Sequence, residues 1–339
     1  MLTTFLGLSI IALVLVIVFQ IAKANELVAS LKGEEMVINR NRVNAMLFLL
    51  FLIFGMIGAV WSTFHYAPKF LPAPSSEHGT WLRNMFFWTL VATVPVFIVT
   101  HIALFVFSFQ YKRDGSRSAF YFPGSNRLEL IWTAIPAVVM ILLVYEGMRN
   151  WYKITGPAPK EAMVVEATGQ QFFWTLRYGG KDNKTGKKSV KLINGDNALG
   201  LDWEDKDNRD DFIADELHLK VNQPVLVRIS AIDVLHSFYL PHFRVKMDAV
   251  PGIPTQFWFT PTKTTKQMRE ELKNPNFNYE LACAELCGQA HFNMRKVVVV
   301  EDEADFNQWL AKQEPAYAKL KASSSATPDS GNTGQTQQN

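Results

Sequence analysis

Four stretches of the chain, Leu2 to Ile21, Ala45 to Phe64, Met85 to Phe109 and Leu130 to Tyr145, are mostly apolar runs, and all lie in the first half of the sequence. The first three are long enough to cross a bilayer core of roughly 30 Å, and the fourth is too if it extends from Leu128 to Met148. Such runs leave only helices as a solution, because lipid offers no partner for an open backbone. Pro95 and Pro136 fall inside two of them; helices packed against neighbours tolerate the freed backbone groups. A membrane half of about four helices is therefore expected, although the mean hydropathy of the whole chain is near zero at +0.03.

Lys and Arg near the helix ends set the orientation. Residues 22–44 carry Lys23, Lys32, Arg40 and Arg42, and the segment after the third run carries Lys112, Arg113, Arg117 and Arg127. Residues 65–84 carry only Lys69 and Arg83. The richer loops read as cytoplasmic, which places everything after the fourth run on the outer face. Ala22-Lys23-Ala24 has the look of a signal-peptide cleavage site. Removing the first run would turn the soluble half inward and invert the charge bias, so retention of all four is the expectation.

From Trp151 onward short β-type runs take over: "AMVVEA", "QFFWTLRY", "LHLKV", "PVLVRIS", "FWFTP" and "RKVVVVE", separated by Gly, Pro, Asn and Asp clusters. With no long helix between them they predict an antiparallel sandwich or barrel. Only "EADFNQWLAK" reads as a helix, and the segment 316–339 has no apolar run that could offset the entropy of ordering. Five lysines lie between Lys181 and Lys191, and eight acids lie between Asp202 and Glu216. Both runs read as solvated loops, and the acidic one could also steer a cationic partner. There is no phosphate-binding or dinucleotide motif, and a net charge of +3 gives no reason to expect nucleic acid.

The chemistry concentrates in "CAELCGQAHFNM", residues 283–294, which holds the only two cysteines of the chain. On the oxidising side of a membrane two cysteines suggest a disulfide. That would leave His291 and Met294 without a role, whereas thiolate, thioether and imidazole together select copper over hard cations. A second imidazole comes from His236 in "AIDVLHSFYLP". His242 follows Pro241 in a loop and competes less well, and His101 reads as a packed helix residue. Two Cys, two His and one Met exceed what a single tetrahedral zinc needs, and two metal ions could share a pair of bridging thiolates.

The spacing Cys283-x3-Cys287-x3-His291-x2-Met294, with "DVLHSFYLP" upstream and "KMDAVPG" between, resembles subunit II of haem-copper cytochrome c oxidases. The resemblance covers roughly residues 80–313 and includes "RLELIWTAIPAVVMILLVYEGMRNWY", similar to that family's second helix. It implies a membrane hairpin over 80–150 and a periplasmic cupredoxin-like Greek-key sandwich over 151–315; the two membrane helices over 1–66 exceed that family's usual hairpin, and the composition of 316–339 reads as a disordered tail. It also implies a binuclear copper centre, CuA, in which Cys283 and Cys287 bridge two copper ions and His236 and His291 bind one each. Met294 would complete one coordination sphere and the main-chain carbonyl of Glu285 the other, while the Glu285 carboxylate faces a magnesium or manganese site. Glu129 would lie at the cytoplasmic mouth of a proton pathway.

The same resemblance implies that a cytochrome c type donor reduces the domain, which passes electrons to haem in subunit I for oxygen reduction coupled to proton pumping. Subunit III, and another respiratory complex touching the extra helices, are further expected partners. The expected location is a bacterial inner membrane. Family members usually carry a tryptophan where this chain has Phe172, the position at which electrons enter, and Trp174 keeps a later aromatic of that motif. Ile253 stands where the family often has Arg. Two alternatives fit less well. A quinol oxidase subunit lacks the copper ligands, and a thioredoxin-like copper-delivery protein has its His downstream of its cysteines.

Overall fold

A computed structural model describes residues 2–32, 34–113, 116–118 and 120–326. The chain forms two compact units, one from the described residues of Met1–Phe70 and Thr89–Ala137, the other from those of Leu71–Trp88 and Val138–Asn339. The first unit holds α1 (Leu2–Lys32), α2 (Glu34–Tyr66) and the inner stretches of α3 (Glu77–Gln110) and α4 (Asn126–Thr155). Three helical stretches, Asn39–Tyr66, Glu77–Gln110 and Asn126–Thr155, are long and apolar enough to span a bilayer, with almost none of their side chains buried within the chain. The first expected span falls in α1, and part of its side chains lie outside the described residues.

Polar side chains within the spans satisfy themselves locally. Thr93, Thr100 and Ser108 each donate to the carbonyl four residues earlier. His101 Nδ1 lies 2.7 Å from the Phe97 carbonyl, the packed helix residue expected of it. Each of these contacts removes a donor that lipid could not satisfy. Phe105 of α3 packs on Phe48 and Phe51 of α2, with ring centroids 5.9 and 5.5 Å apart.

The second unit is an all-β sandwich of two five-stranded sheets. Its strands are β1 (Met163–Gln170), β2 (Phe173–Tyr178), β3 (Phe212–Ala214), β4 (Leu217–Lys220), β5 (Val225–Ala231), β6 (His236–Leu240), β7 (Val245–Ala249), β8 (Thr255–Phe259), β9 (Tyr279–Cys283) and β10 (Arg295–Glu301). They form one sheet in the order β3-β2-β1-β5-β8 and another in the order β4-β10-β9-β6-β7. The pairs β1–β5 and β10–β4 are parallel and the remaining pairs antiparallel, so the chain crosses between sheets rather than meandering. Alternation decides which residues make the core. In β5, Val225, Val227, Ile229 and Ala231 are buried while Arg228 points out. Trp174, Phe238, Phe257, Phe259 and Tyr279 fill the space between the sheets.

All six strand-like runs read from sequence are strands. Those missed are short or sit at the site: β3, β6, β7 and β9. A helix was missed as well, α5 (Thr265–Glu271), although its capping box is visible in sequence: the Thr264 hydroxyl accepts from Gln267 N–H while the Gln267 side chain accepts from Thr264 N–H. The expected helix is α6 (Glu303–Leu310), capped by the Asp302 carboxylate. The segment expected to be disordered from residue 316 instead begins with α7 (Ala316–Ala326). Ala316 N–H donates to the Asp211 carbonyl at 2.8 Å and the Tyr317 ring lies 5.7 Å from that of Trp203, contacts that composition does not reveal. Residues 327–339 lie outside the described residues.

The start of α3 is bolted to the sandwich. Ser75 N–H donates to the His242 carbonyl (2.7 Å), Thr262 N–H to the Ser75 carbonyl (2.8 Å), and Glu77 N–H to the Thr260 carbonyl (3.1 Å). The Trp258 indole N–H donates to the Lys153 carbonyl near the end of α4 at 2.8 Å, so the start of α3 and the end of α4, both within the second unit, are held at β8 and its flanks.

The lysine and acidic runs keep most of their charges exposed, as expected, and are joined to one another through the main chain. Lys181 N–H donates to Asp210 Oδ2 (2.6 Å), Lys187 N–H to Asp205 Oδ2 (3.0 Å), and Gly186 N–H to Asp211 Oδ2 (3.3 Å). Beneath them lies the buried Arg177, whose Nη2 is 3.0 Å from Glu166 Oε2 and whose Nε is 3.6 Å from Asp211 Oδ2. Burial works against the Glu166 carboxylate, but Arg177, Lys188 and Thr185 together hold its pKa below the usual range. At Asp211 burial prevails over the more distant Arg177 and pushes the pKa from 3.8 up to about 7.

A carboxyl whose folded-state pKa is raised costs stability once pH exceeds its unfolded value, and the cost stops growing above the folded pKa. Asp211→Asn, which mimics the protonated form, should therefore gain stability relative to the parent protein as pH rises from about 4 to about 7 and hold that gain above it. Denaturant unfolding of both proteins across this window checks the sign. A constant difference would mean that Asp211 is ionised throughout.

Candidate metal centre

The site lies where the loop between β9 and β10 meets the start of β6. Its base is closed by Cys283 N–H donating to the Met294 carbonyl at 3.1 Å, and Ala284 N–H donating to the Ser237 carbonyl at 3.0 Å ties it to β6. Short turns fold the loop back on itself: His291 N–H reaches the Gly288 carbonyl (3.2 Å) and Met294 N–H the His291 carbonyl (3.2 Å). Residues four apart in sequence are thereby brought side by side, with a single 3-10 turn at His291–Asn293. His236 begins β6, and the register Phe238↔Cys283 sets it beside the loop.

All six ligand positions predicted from sequence converge. Cys283 Sγ and Cys287 Sγ are 3.9 Å apart and both thiols are free. Each thiol has its own imidazole. His236 Nδ1 is 3.9 Å from Cys283 Sγ, and His291 Nδ1 is 3.6 Å from Cys287 Sγ. Met294 Sδ stands 3.9 Å from Cys287 Sγ, and the Glu285 carbonyl accepts from the Cys283 thiol at 3.2 Å. His236, Cys283 and Cys287 form the one cluster among the described residues with donor atoms close enough to share a metal ion. The soft, buried donor set suits copper. Burial, then the neighbouring Cys283, push the Cys287 thiol up to about 11, so a bound cation must displace a proton there.

Contacts outside the ligand set orient the donors. His236 is fully buried and its Nε2 lies 2.9 Å from Asp233 Oδ1, which leaves Nδ1 with its lone pair toward the thiols. Burial opposes the Asp233 charge, but the Gln171 N–H, His236 and the Val234 N–H outweigh it and hold the carboxyl below its ordinary range. Sequence reasoning missed Asp233 and Gln171. The signal for the first was a carboxylate three residues before a ligand histidine.

The remaining predicted residues divide. Phe172 is half-buried, and its Cε1 would be 2.9 Å from a Cβ placed on Gly288, so its ring lies against the ligand loop. Trp174 is 1% exposed and packs edge-on against His236 and Phe238. Strand alternation explains this, because Trp174 shares the inward phase of Leu176. The Glu285 side chain is exposed, and Glu129 sits exposed in the first turn of α4. His242 stays away from the cluster, between the rings of Phe277 and Tyr279. Leu286 and Phe292, on the loop itself, are 79% and 76% exposed, which gives the site an apolar rim.

Comparison with known proteins matches residues 163–301 to the family described as cytochrome c oxidase subunit II, periplasmic domain, and residues 73–149 to cytochrome c oxidase subunit II, transmembrane domain. Helices α1 and α2 precede both ranges. The alternative cytochrome c oxidase subunit 2 of Bradyrhizobium diazoefficiens is 36% identical over 233 residues, covering 68% of this chain and 78% of that protein. Cytochrome c oxidase subunit 2 of Cereibacter sphaeroides is 27% identical over 275 residues, 78% of this chain and 84% of that one. Among solved structures, the periplasmic domain of subunit II of cytochrome oxidase of Bradyrhizobium japonicum shares 28% identity over 48% of this chain and 97% of that domain, with a TM-score of 0.32. The matched ranges make this a membrane protein with a periplasmic domain, and the chain belongs to the cytochrome c oxidase subunit II family, whose members are copper-binding oxidoreductase subunits.

Proposed function

We propose that Cys283, Cys287, His236, His291, Met294 and the Glu285 carbonyl hold a binuclear CuA centre, and that the chain is the electron-accepting subunit of a cytochrome c oxidase. The observation that carries the reading is the pairing of two unbonded thiols 3.9 Å apart, each with its own imidazole nitrogen. When bound, two copper ions held by these residues would supply one-electron redox chemistry with little rearrangement. The chain's own residues supply the conditions for it. Asp233 fixes the His236 tautomer, the closed base of the loop holds the thiols, and burial keeps water from them.

In this reading the chain accepts electrons from a cytochrome c type donor near Phe172 and delivers them to haem in subunit I, where oxygen reduction is coupled to proton pumping. The apolar rim of Leu286 and Phe292 suits contact with subunit I or the donor. The Glu285 carboxylate would serve a magnesium or manganese site at the subunit I interface, and Glu129 the mouth of a proton pathway. Subunit III would complete the assembly, and the helices of residues 1–66 would meet a further respiratory complex. The hairpin of residues 80–150 would stand in a bacterial inner membrane, with residues 151–315 on its periplasmic side.

Copper analysis and electron paramagnetic resonance on the purified full chain, reconstituted with copper, test this. Two copper ions per chain, with a hyperfine pattern from one electron shared by both, is the expected result. A single-copper pattern, or no binding with Cys283 and Cys287 oxidised to a disulfide, would overturn it.

A further inference from the structure

The turn between β1 and β2 reaches both ligand-bearing loops. Gln171 donates its main-chain N–H to Asp233 Oδ2 at 2.7 Å, while the other oxygen of that carboxylate holds His236 Nε2. The side-chain Nε2 of the same residue donates to the Cys287 carbonyl at 2.6 Å. One residue thus links the loop that carries an imidazole to the loop that carries a thiol. The fit is close enough to exclude a side chain opposite. Gly288 has φ of +134°, and a Cβ there would lie 2.9 Å from Phe172 Cε1 and 3.0 Å from Gln171 Nε2.

We propose that Gln171 is a positioning residue: through Asp233 and the Cys287 carbonyl it fixes the His236 nitrogen relative to the Cys287 sulfur, and so sets how evenly an electron is shared across the metal pair. The proposal rests on the copper reading of the site. Its physical basis is the division of labour within Gln171. Any residue at 171 other than proline keeps the main-chain bond to Asp233, so the His236 tautomer survives substitution. Only the side-chain amide holds the Cys287–Gly288 peptide. Without it the Cys287 sulfur gains freedom while the ring of His236 stays fixed, and the two halves of the site move relative to each other. Gln171 is itself exposed and lies in a turn, outside the sandwich core, so its side chain can be changed without disturbing the fold.

Gln171→Met keeps the length of the side chain and removes the donor. In the metal-free full chain, Cys287 of this variant should react with a thiol reagent on the order of fivefold faster than in the parent, as loss of one ordinary hydrogen bond implies. The reacted cysteine is identified by mass spectrometry. Reconstituted with copper, the variant should keep both ions but show altered hyperfine splitting and a shifted reduction potential. Gln171→Lys, which restores an N–H donor at similar reach, should return both signals toward the parent. Unchanged hyperfine splitting and potential in Gln171→Met would overturn the proposal, whether or not the thiol reacts faster, because a merely structural tie would behave that way. If the parent chain itself fails to bind two copper ions, the copper reading fails; the thiol reactivity of the metal-free variant still reports separately on the Gln171–Cys287 bond.

Discussion

Cys283→Ser is expected to abolish the shared-electron copper signature and lower bound copper from two ions per chain to one or none, while the sandwich stays folded. Its Sγ is within 3.9 Å of both Cys287 Sγ and His236 Nδ1, so the substitution removes a donor from the centre of the site rather than from its edge. A serine hydroxyl is a hard, weakly acidic ligand that replaces a soft thiolate poorly. It can still donate to the Glu285 carbonyl, which the thiol does at 3.2 Å, so the loop keeps that tie. The cost to the metal-free fold should be about 1 kcal/mol, the ordinary range for a single substitution. Copper content, the paramagnetic resonance spectrum and circular dichroism on one preparation separate the two effects. Retention of a normal two-copper spectrum would show that Cys283 does not bridge.

The ligand quartet was legible in sequence because it is local. Twelve residues hold four soft donors, and a short loop can bring them together whatever the rest of the chain does. His236 was legible although it lies 47 residues from Cys283, because few histidines in the soluble half had a plausible setting. Asp233 and Gln171 were not, since an aspartate and a glutamine in polar turns look like any others until the fold places one against His236 and the other against Cys287. Alternation along β2 puts Trp174 in phase with Leu176, facing the core, a placement that the motif by itself does not give. The five lysines of 181–191 are exposed, as expected of a solvated loop, but the main-chain ties from that run to Asp205, Asp210 and Asp211, and the burial of Asp211 against Arg177, depend on contacts between residues far apart in sequence. Asp211, at 0% exposure, cannot steer anything.

Arg177→Met should be the most destabilising single substitution in the sandwich outside its apolar core. The register pairs Arg177 directly with Glu166 across β1 and β2, and its guanidinium also donates to Asn208 Oδ1 at 3.1 Å and to the Gly186 carbonyl at 2.8 Å. Arg177 therefore joins the two sheet-forming strands to the loop that carries both charge runs. Removing it leaves Glu166 with only the partly exposed Lys188, 3.4 Å away, as a counter-ion, and drives Asp211, whose pKa is already raised to about 7, to take up a proton. Deleting one partner of a buried ion pair costs about 3–5 kcal/mol, most of it the penalty of the orphaned charge rather than the worth of the bond. If that is the origin of the loss, removing the orphans should restore it. Combining Arg177→Met with Glu166→Gln and Asp211→Asn is expected to recover most of the stability, because neutral buried groups no longer demand a counter-ion. Denaturant unfolding followed by tryptophan fluorescence decides between the two accounts. A single variant within about 1 kcal/mol of the parent would mean that water already screens the pair. A triple variant no better than the single would assign the loss to the severed Asn208 and Gly186 contacts instead, and the loop would then be held by hydrogen bonds rather than by charge.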